Sequence, residues 1–248
     1  MKRARHVREL GLSAIRVIWW LLLFVMCLPF LWFYLTSSNS PLPDRLNPGS
    51  PLDLSQPENF LTQRKLRRAV ANPSLCQSAL STGTNAMTLP SLENSDHCHI
   101  AHQVVVRDIG QAKLSRGGVK TACATALRLA AWERYGLQPE AKRILGTSVT
   151  GIAHMGSYNC RFMRTGSGSK RWSTHATAEA IDIAGFDLSD GRKLRLIKDW
   201  EKTGPEAAFL RAAQASSCQW FVTTLGPDYN ALHADHFHLQ TRGWGTCR

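Results

Sequence analysis

The longest apolar stretch of the chain runs without a charged residue from Val17 to Leu35. At about 1.5 Å per residue, a helix of this length spans roughly the hydrocarbon core of a bilayer. Basic residues crowd the segment before it, whereas none follows before Arg45. By the positive-inside rule, the pattern predicts a transmembrane anchor at 17–35 with residues 1–16 in the cytoplasm. A cleaved signal peptide is the alternative, although the stretch is long for one.

Shorter periodic patterns follow in the C-terminal part of the chain. Alternating or continuous apolar runs at 102–109, 179–186 and 235–240 predict strands. Helical spacing of apolar residues predicts helices at 119–136 and 204–218. The mixed order of these elements favours an α+β fold over a doubly wound parallel sheet.

A segment rich in Pro, Ser and Asn lies between the anchor and these elements. Its composition is that of an extended chain without a core. We therefore predict a linker at 36–72 and one folded domain at 73–248.

Composition narrows the class of protein. Of 248 residues, 44% are hydrophobic and 19% charged, which excludes wholesale disorder and collagen-like or coiled-coil chains. The formal net charge is +12, and residues 1–69 hold 10 basic and 4 acidic side chains of the 30 and 18 in the whole chain. Because the basic excess is densest near the N-terminus of a chain predicted to be exported, we expect no nucleic-acid partner.

Cysteine usage also favours export. Apart from Cys27, the chain has an even number of cysteines, so up to three disulfides are expected, with the pairing left open. Scattered core thiols are the alternative. No C-x-x-C pair occurs, which disfavours a cysteine-based zinc site. The six cysteines are Cys76, Cys98, Cys123, Cys160, Cys218 and Cys247.

Histidine and aspartate cluster in two segments, RWSTHATAEAIDIAGF with His175 and Asp182, and LHADHFHLQ with His233, His236 and His238. On strands, period-two alternation turns His236 and His238 to one face and Asp182 away from its isoleucine neighbours. Two imidazoles and one carboxylate, from His175, Asp182 and His238, match the ligands of a hydrolytic zinc ion, which lowers the pKa of water to about 7. A structural role is the alternative for any single histidine.

The segment STHATAEAID (173–182) resembles the S-x-H-x-x-G-x-A-x-D signature of zinc peptidases that cut peptidoglycan peptides. These are the D,D-carboxypeptidase and dipeptidase family and the murein endopeptidases, and the hedgehog signalling domain shares their fold. Residues 76–240 more closely resemble the bacterial extensin-like C-terminal domain. The motifs that carry this resemblance are CATALRLAAWE, SYNCR, STHATAEAIDIAGFDLSDGR, AAFLR and LGPDYNALHADHFHLQ. The wider resemblance implies a small antiparallel sheet with flanking helices.

Residue by residue, the peptidase pattern implies one zinc ion held by His175, Asp182 and His238. Asp235 occupies the position of the acidic base in that superfamily. Histidines at the positions of His233 and His236 occur in the murein endopeptidases, so the general base stays open among these three residues.

The same pattern assigns Arg161 to a substrate carboxylate or developing oxyanion and Ser173 to a substrate contact. A paired structural arginine and a helix or turn cap are the respective alternatives. Ala178 replaces the usual glycine of the signature, which adds a methyl group near the first ligand.

Together these features predict a zinc-dependent carboxypeptidase or endopeptidase acting on peptidoglycan peptides. It would lie in the periplasm, anchored by one helix in the bacterial inner membrane. The alternative is a non-catalytic module that binds cell-wall peptides or a protein, motivated by Ala178 and by aspartate in place of glutamate at 235. The bond cleaved, the oligomeric state and protein partners stay open.

Overall fold

A computed structural model describes residues 2–37, 39–164 and 170–248. The chain divides into two compact units, Met1–Ser50 and Pro51–Arg248. The first unit holds the helix α1, Lys2–Thr36, and a short 3₁₀ turn at Asp44–Leu46. Within α1, the segment Arg16–Thr36 contains an 18-residue stretch with a mean hydropathy of 2.2. This segment has the length and composition of a membrane span or of a signal sequence.

The second unit begins earlier than the predicted domain boundary at residue 73. Leu52 and Leu54 are buried in its core, and α2, Thr62–Val70, buries Leu66 completely. The predicted linker at 36–72 is therefore corrected: residues from Pro51 onward belong to the folded unit. The boundary was predicted too late because the Pro-rich composition of this segment gave no sign that Leu52 and Leu54 are buried in the core.

One mixed sheet of nine strands, counted over the described residues, forms the centre of the second unit. The strands of this unit are β1 Thr84–Thr88, β2 Leu92–Ser95, β3 Cys98–Ile100, β4 Gln103–Ile109, β5 Ala112–Leu114, β6 Val119–Ala122, β7 Val149–Gly156, β8 Ala180–Leu188, β9 Lys193–Arg195, β10 Thr223–Leu225 and β11 Phe237–Gln240. The order in the sheet is β1-β4-β5-β7-β8-β11-β10, with β6 paired to β4 and β9 to β8; β2 and β3 form a separate pair.

This mixture of sheet and helices confirms the α+β class. The sheet is larger than the expected small antiparallel one, and it is not wholly antiparallel, because β5 and β7 pair in parallel. The remaining helices of the unit are α3 Pro73–Ser81, α4 Cys123–Trp132, α5 Gln138–Leu145, α6 Leu196–Asp199 and α7 Pro205–Ser217.

Two helix predictions have different outcomes. The helix predicted at 204–218 is confirmed as α7, with Pro205 in its first turn. The helix predicted at 119–136 is confirmed from Cys123 onward and is wrong at its N-terminal end. Residues Val119–Ala122 pair with β4 as a strand, and a π-helical turn at Glu133–Leu137 follows α4. Tertiary strand pairing thus overrides the helical spacing at the N-terminal end.

The core joins helices to the sheet through large aromatic side chains. Trp132 of α4 packs edge-on against Phe186 of β8 at 6.1 Å between ring centroids. Phe186 in turn contacts Phe209 of α7 at 5.5 Å and Phe237 of β11 at 6.4 Å. All four side chains are fully buried. They fix β8 and β11 from one face of the sheet and leave the other face of these strands for polar residues.

Three disulfides confirm the expected use of the six cysteines. They join Cys76 to Cys123, Cys98 to Cys160, and Cys218 to Cys247, whereas Cys27 is free. Such bonds persist in oxidising compartments, which favours a location of this unit outside the cytoplasm.

Candidate metal centre

The centre is built on the pairing of β8 with β11. In this antiparallel register Asp182 lies directly opposite His238. Burial follows the predicted alternation, because side chains on either side of these two point into the core. Those fully buried neighbours are Ile181, Ile183, Phe237 and Leu239. A carboxylate and an imidazole therefore meet on the opposite face, across a pair of strands held by the aromatic core.

His175 reaches the same point from the 3₁₀ turn Thr174–Thr177, which precedes β8. Its side chain is nearly inaccessible, and its Nδ1 lies 2.7 Å from the backbone oxygen of Ser157. A carbonyl oxygen only accepts, so Nδ1 carries the proton and donates it. The other ring nitrogen, Nε2, is then free of a proton in neutral His175. This tautomer is the one that binds a metal through Nε2.

Three ligand atoms converge at this point. The Nε2 of His175 lies 3.1 Å from the Nδ1 of His238 and 3.2 Å from the Oδ1 of Asp182. The Nδ1 of His238 lies 2.8 Å from the same oxygen. Ligands of tetrahedral zinc at about 2.0 Å from the ion are about 3.3 Å apart. The observed triangle therefore has nearly the size that one zinc ion requires.

The electrostatics of the centre favour the ionised carboxylate. Burial opposes ionisation of Asp182, but the hydrogen bonds and positive charge that His175 and His238 supply in their protonated forms outweigh that cost and lower its pKa below the ordinary value. The side chain of Asp182 is 15% exposed. An anionic oxygen is thus available near neutral pH.

The remaining histidines of the cluster lie beside this triangle. The Nδ1 of His236 is 2.7 Å from the Oδ1 of Asp235, and its Nε2 is 3.6 Å from the Oδ1 of Asp182. Asp235 thus contacts His236 with its carboxylate and orients that ring. His233 and His236 form a second group with His238 in which the ligand atoms lie within 4.8 Å of one another. Burial and the charges of His238 and His236 lower the pKa of His233 to about 4.

Arg161 lies on the segment that follows β7. The backbone nitrogen of Ser173 donates to the backbone oxygen of Arg161 at 3.1 Å, which places Arg161 beside the residue that precedes the His175 turn. Its Nη1 donates to the oxygen of Phe162 at 3.2 Å, while its Nε is buried without a partner. Over the described ranges, Arg161 forms no ion pair with a carboxylate, so its charge is available to an anion.

Ser173 has the role of a cap. Its hydroxyl accepts from the backbone nitrogen of His175 at 3.3 Å, and the residue is only 5% exposed. This is the turn cap that the sequence offered as the alternative to a substrate contact, and it helps to position His175.

Ala178 explains why glycine is usual at its position. Its φ of 50° lies in the left-handed region, which favours glycine. Its carbonyl oxygen accepts from the hydroxyls of Thr121, Thr125 and Ser157 at 3.1, 2.8 and 3.3 Å. These bonds fix the turn between His175 and β8.

Sequence reasoning missed Ser157, Thr121 and Thr125. Thr121 and Thr125 are fully buried. The sequence offered one sign of this: both are polar residues among the apolar residues of the segment predicted to be a helix. The backbone carbonyl of Ser157, which accepts from His175, could not be predicted from sequence, because every residue has such a carbonyl.

A cleft of about 540 Å³ adjoins the centre at Gly156 and Ser157. It extends between Pro90 and Val119, with Lys120 as a cationic residue of its lining. None of the candidate ligands lines it, so it is a neighbour of the centre and not part of it. Its lining suits an apolar group with a carboxylate nearby.

Comparison with known proteins gives one match. A family model described as "Extensin-like protein C-terminus" matches residues 74–248. No curated protein and no solved structure matches the chain. The matched segment holds every candidate residue of the centre, from Arg161 to His238, and starts one residue after the predicted boundary at 73.

Proposed function

The chain belongs to the extensin-like protein C-terminus family, and we propose that its second unit is a zinc-dependent hydrolase of peptidoglycan peptides. The observation that carries this proposal is the triangle of His175 Nε2, Asp182 Oδ1 and His238 Nδ1, with sides of 2.8 to 3.2 Å. Two nitrogens and one oxygen in this geometry are the ligand set of catalytic zinc, which keeps a fourth position open.

The surroundings of the three ligands support zinc over a purely structural cluster. A structural hydrogen-bond network distributes protons among its members, whereas the His175 proton is already directed to Ser157 and away from the centre. A backbone carbonyl on the second nitrogen of a ligand histidine is the usual outer partner in metal sites. The donors N, N and O suit zinc better than magnesium or calcium, which prefer oxygen.

When bound, zinc would supply a Lewis acid and lower the pKa of water to about 7. His236 then has the role of general base: its Nδ1 contacts Asp235, and its Nε2 faces the centre and takes a proton from the attacking water. The same nitrogen returns the proton to the leaving amine. Arg161 stabilises the developing negative charge or holds a carboxylate of the substrate.

The relation to the zinc D,D-carboxypeptidase and murein endopeptidase superfamily is part of this proposal. It is supported by the S-x-H-x-x-G-x-A-x-D pattern at 173–182 and by the spacing of the histidines at 233–238. A periplasmic location on the bacterial inner membrane is supported by the apolar segment Arg16–Thr36 and by the disulfides. The positive-inside rule favours a cytoplasmic N-terminus.

A second candidate is a module that binds cell-wall peptide without cleaving it. The specific observation in its favour is the carboxylate of Asp235, which contacts His236 and is 43% exposed, a position that favours orienting His236 over acting as the acidic base itself. If His236 fails as a base in its place, the centre binds a metal and a ligand but leaves the peptide intact.

The full-length protein in detergent tests the metal first. We expect one zinc per chain by elemental analysis, lost in the His175→Ala, Asp182→Ala double variant. His99→Ala is the matched control, because it removes an imidazole outside the cluster and should retain zinc. Zinc content below a tenth of an equivalent in the wild-type protein, after loading and dialysis, would contradict the proposal.

Activity is tested on purified peptidoglycan sacculi. We expect new soluble muropeptides from the zinc-loaded protein and none from His238→Ala. Zinc binding with retention on sacculi, but without any new product, would select the binding module over the hydrolase.

A further inference from the structure

A stack of three aromatic rings lies on the segments next to the metal centre. Phe162 and Trp172 face each other across an isolated antiparallel bridge, with ring centroids 4.2 Å apart. His97 stacks on the same Trp172 at 5.2 Å. Phe162 nevertheless remains 42% exposed. We call His97, Phe162 and Trp172 the aromatic platform. Within this platform, the ring of Phe162 is the large apolar side chain that remains accessible to solvent.

Burial does not account for this exposure. A cross-strand aromatic pair stabilises a hairpin, and the contact of Phe162 with Trp172 serves that purpose. Phe162 could make the same contact with Trp172 if the rest of its ring were buried, so the contact does not require the exposure. Met163, the next residue, is 41% exposed as well. Adjacent exposed apolar side chains on a folded domain favour a binding surface over a structural contact alone.

Cationic residues flank the platform along the chain. Arg164, Lys170 and Arg171 are exposed, and the described residues 157–164 and 170–173 hold no acidic side chain. Asp96 is the carboxylate nearest in sequence to a platform residue, His97. The surface thus combines an exposed aromatic face with an excess of positive charge, which complements a polymer that combines sugar rings with the carboxylates of attached peptides.

Backbone contacts hold the platform close to the metal centre. The nitrogen of Asn159 donates to the oxygen of His175 at 2.9 Å, and the nitrogen of Met163 donates to the oxygen of Arg171 at 2.8 Å. The disulfide of Cys160 with Cys98 anchors the same segment to β3. Trp172 precedes His175 by three residues, at most about 11 Å of extended chain. One polymer chain is therefore long enough to contact the aromatic platform and the metal centre together.

We propose that the aromatic platform binds the glycan strand of an anionic cell-wall polymer, with a sugar ring stacked on Phe162 and the carboxylates near Arg164, Lys170 and Arg171. The identity of the polymer rests on the proposed function; the binding itself does not require the metal. Aromatic rings with interleaved cations also bind single-stranded nucleic acid, but three disulfides favour a compartment without it. The platform thus holds the glycan while its peptide stem lies at the metal centre.

Sedimentation of the full-length protein in detergent with purified sacculi tests this binding. Phe162→Ala should weaken retention about tenfold, equivalent to about 1.4 kcal/mol. Phe60→Ala is the matched control, because Phe60 is 82% exposed elsewhere in the same unit. Lys170→Gln with Arg171→Gln should also weaken binding and make its loss with salt shallower, whereas Lys193→Gln with Lys198→Gln, of equal charge change, should not.

The His175→Ala, Asp182→Ala variant separates this inference from the proposed function. It should bind sacculi as the wild type does, while it cleaves nothing. A soluble oligomer of N-acetylglucosamine should compete with sacculi for the wild type. The inference is overturned if Phe162→Ala binds normally, if the oligomer fails to compete, or if single-stranded DNA binds as well as sacculi. Unfolding midpoints within two degrees of the wild type establish that each variant is folded; if Phe162→Ala is not, the charge variants decide.

Discussion

Replacing His236 with alanine separates proton transfer from metal binding. His236 is not in the tight ligand triangle, yet its Nε2 lies 3.6 Å from the Oδ1 of Asp182, within reach of the position that the attacking water would take. A positioned general base contributes about 10²- to 10⁴-fold to the rate. We therefore expect His236→Ala to lower kcat by that factor, about 2.7 to 5.5 kcal/mol in activation free energy, while one zinc per chain is retained.

Replacing Asp235 should lower kcat far less than replacing His236. Its carboxylate contacts the Nδ1 of His236 at 2.7 Å but is 43% exposed to solvent. Ion pairs in such surroundings contribute about 0 to 1 kcal/mol, so Asp235→Asn should lower kcat by about fivefold at most. A loss of a thousandfold would show that Asp235, and not His236, is the base.

The assay is the initial rate of muropeptide release from sacculi, measured by chromatography, together with zinc content. His233→Ala is the control: the Nδ1 of His233 contacts Asn230 at 2.7 Å, outside the triangle, and its loss should change kcat by less than tenfold. The reasoning is refuted if His233→Ala is as inactive as His236→Ala, or if His236→Ala loses its zinc.

Two further predictions concern stability. Gly110→Ala should lower the free energy of unfolding, measured in urea, by about 2 to 4 kcal/mol, because φ is +55° and the new Cβ would meet the buried Glu133 carboxylate. Gly146→Ala, at φ +67° in open space, should lower it by only about 1 kcal/mol; equal losses for the two variants would contradict this reasoning. The pKa of His233 in the metal-free protein is lowered to about 4, so between pH 6.5 and 4 the unfolded state binds more protons and stability falls as the pH falls. After allowance for solvent screening the loss is about 1 to 2 kcal/mol, and it should shrink in His233→Gln; an unchanged pH slope would disprove it.

Local pattern predicted the strands that carry the ligands and the faces on which these lie. Period-two alternation around Asp182 and His238 sufficed, because both strands pack an aromatic and aliphatic core on one side. The convergence of His175 with them did not follow from alternation. It came from residue types clustered at two places and from the resemblance to a zinc peptidase signature.

What sequence did not reveal depends on contacts between distant segments. The strand at Val119–Ala122 forms because β4 offers it an edge, and the bond from His175 to Ser157 forms because β7 lies beside β8. Disulfide pairing is of the same kind. Each of these is decided by tertiary neighbours, which a periodicity of a dozen residues does not contain.

The protons of the centre give the strongest physical reason to expect a cation there. Neutral His175 directs its single proton to Ser157, so its Nε2 presents a lone pair. Asp182, whose pKa is lowered, presents an anionic oxygen. Neutral His238 has one proton to share with both neighbours, at 2.8 and 3.1 Å. Three acceptor atoms thus surround at most one proton, and a buried acceptor without a partner is costly. A divalent cation satisfies all three at once, whereas a substrate carbonyl would add a fourth acceptor.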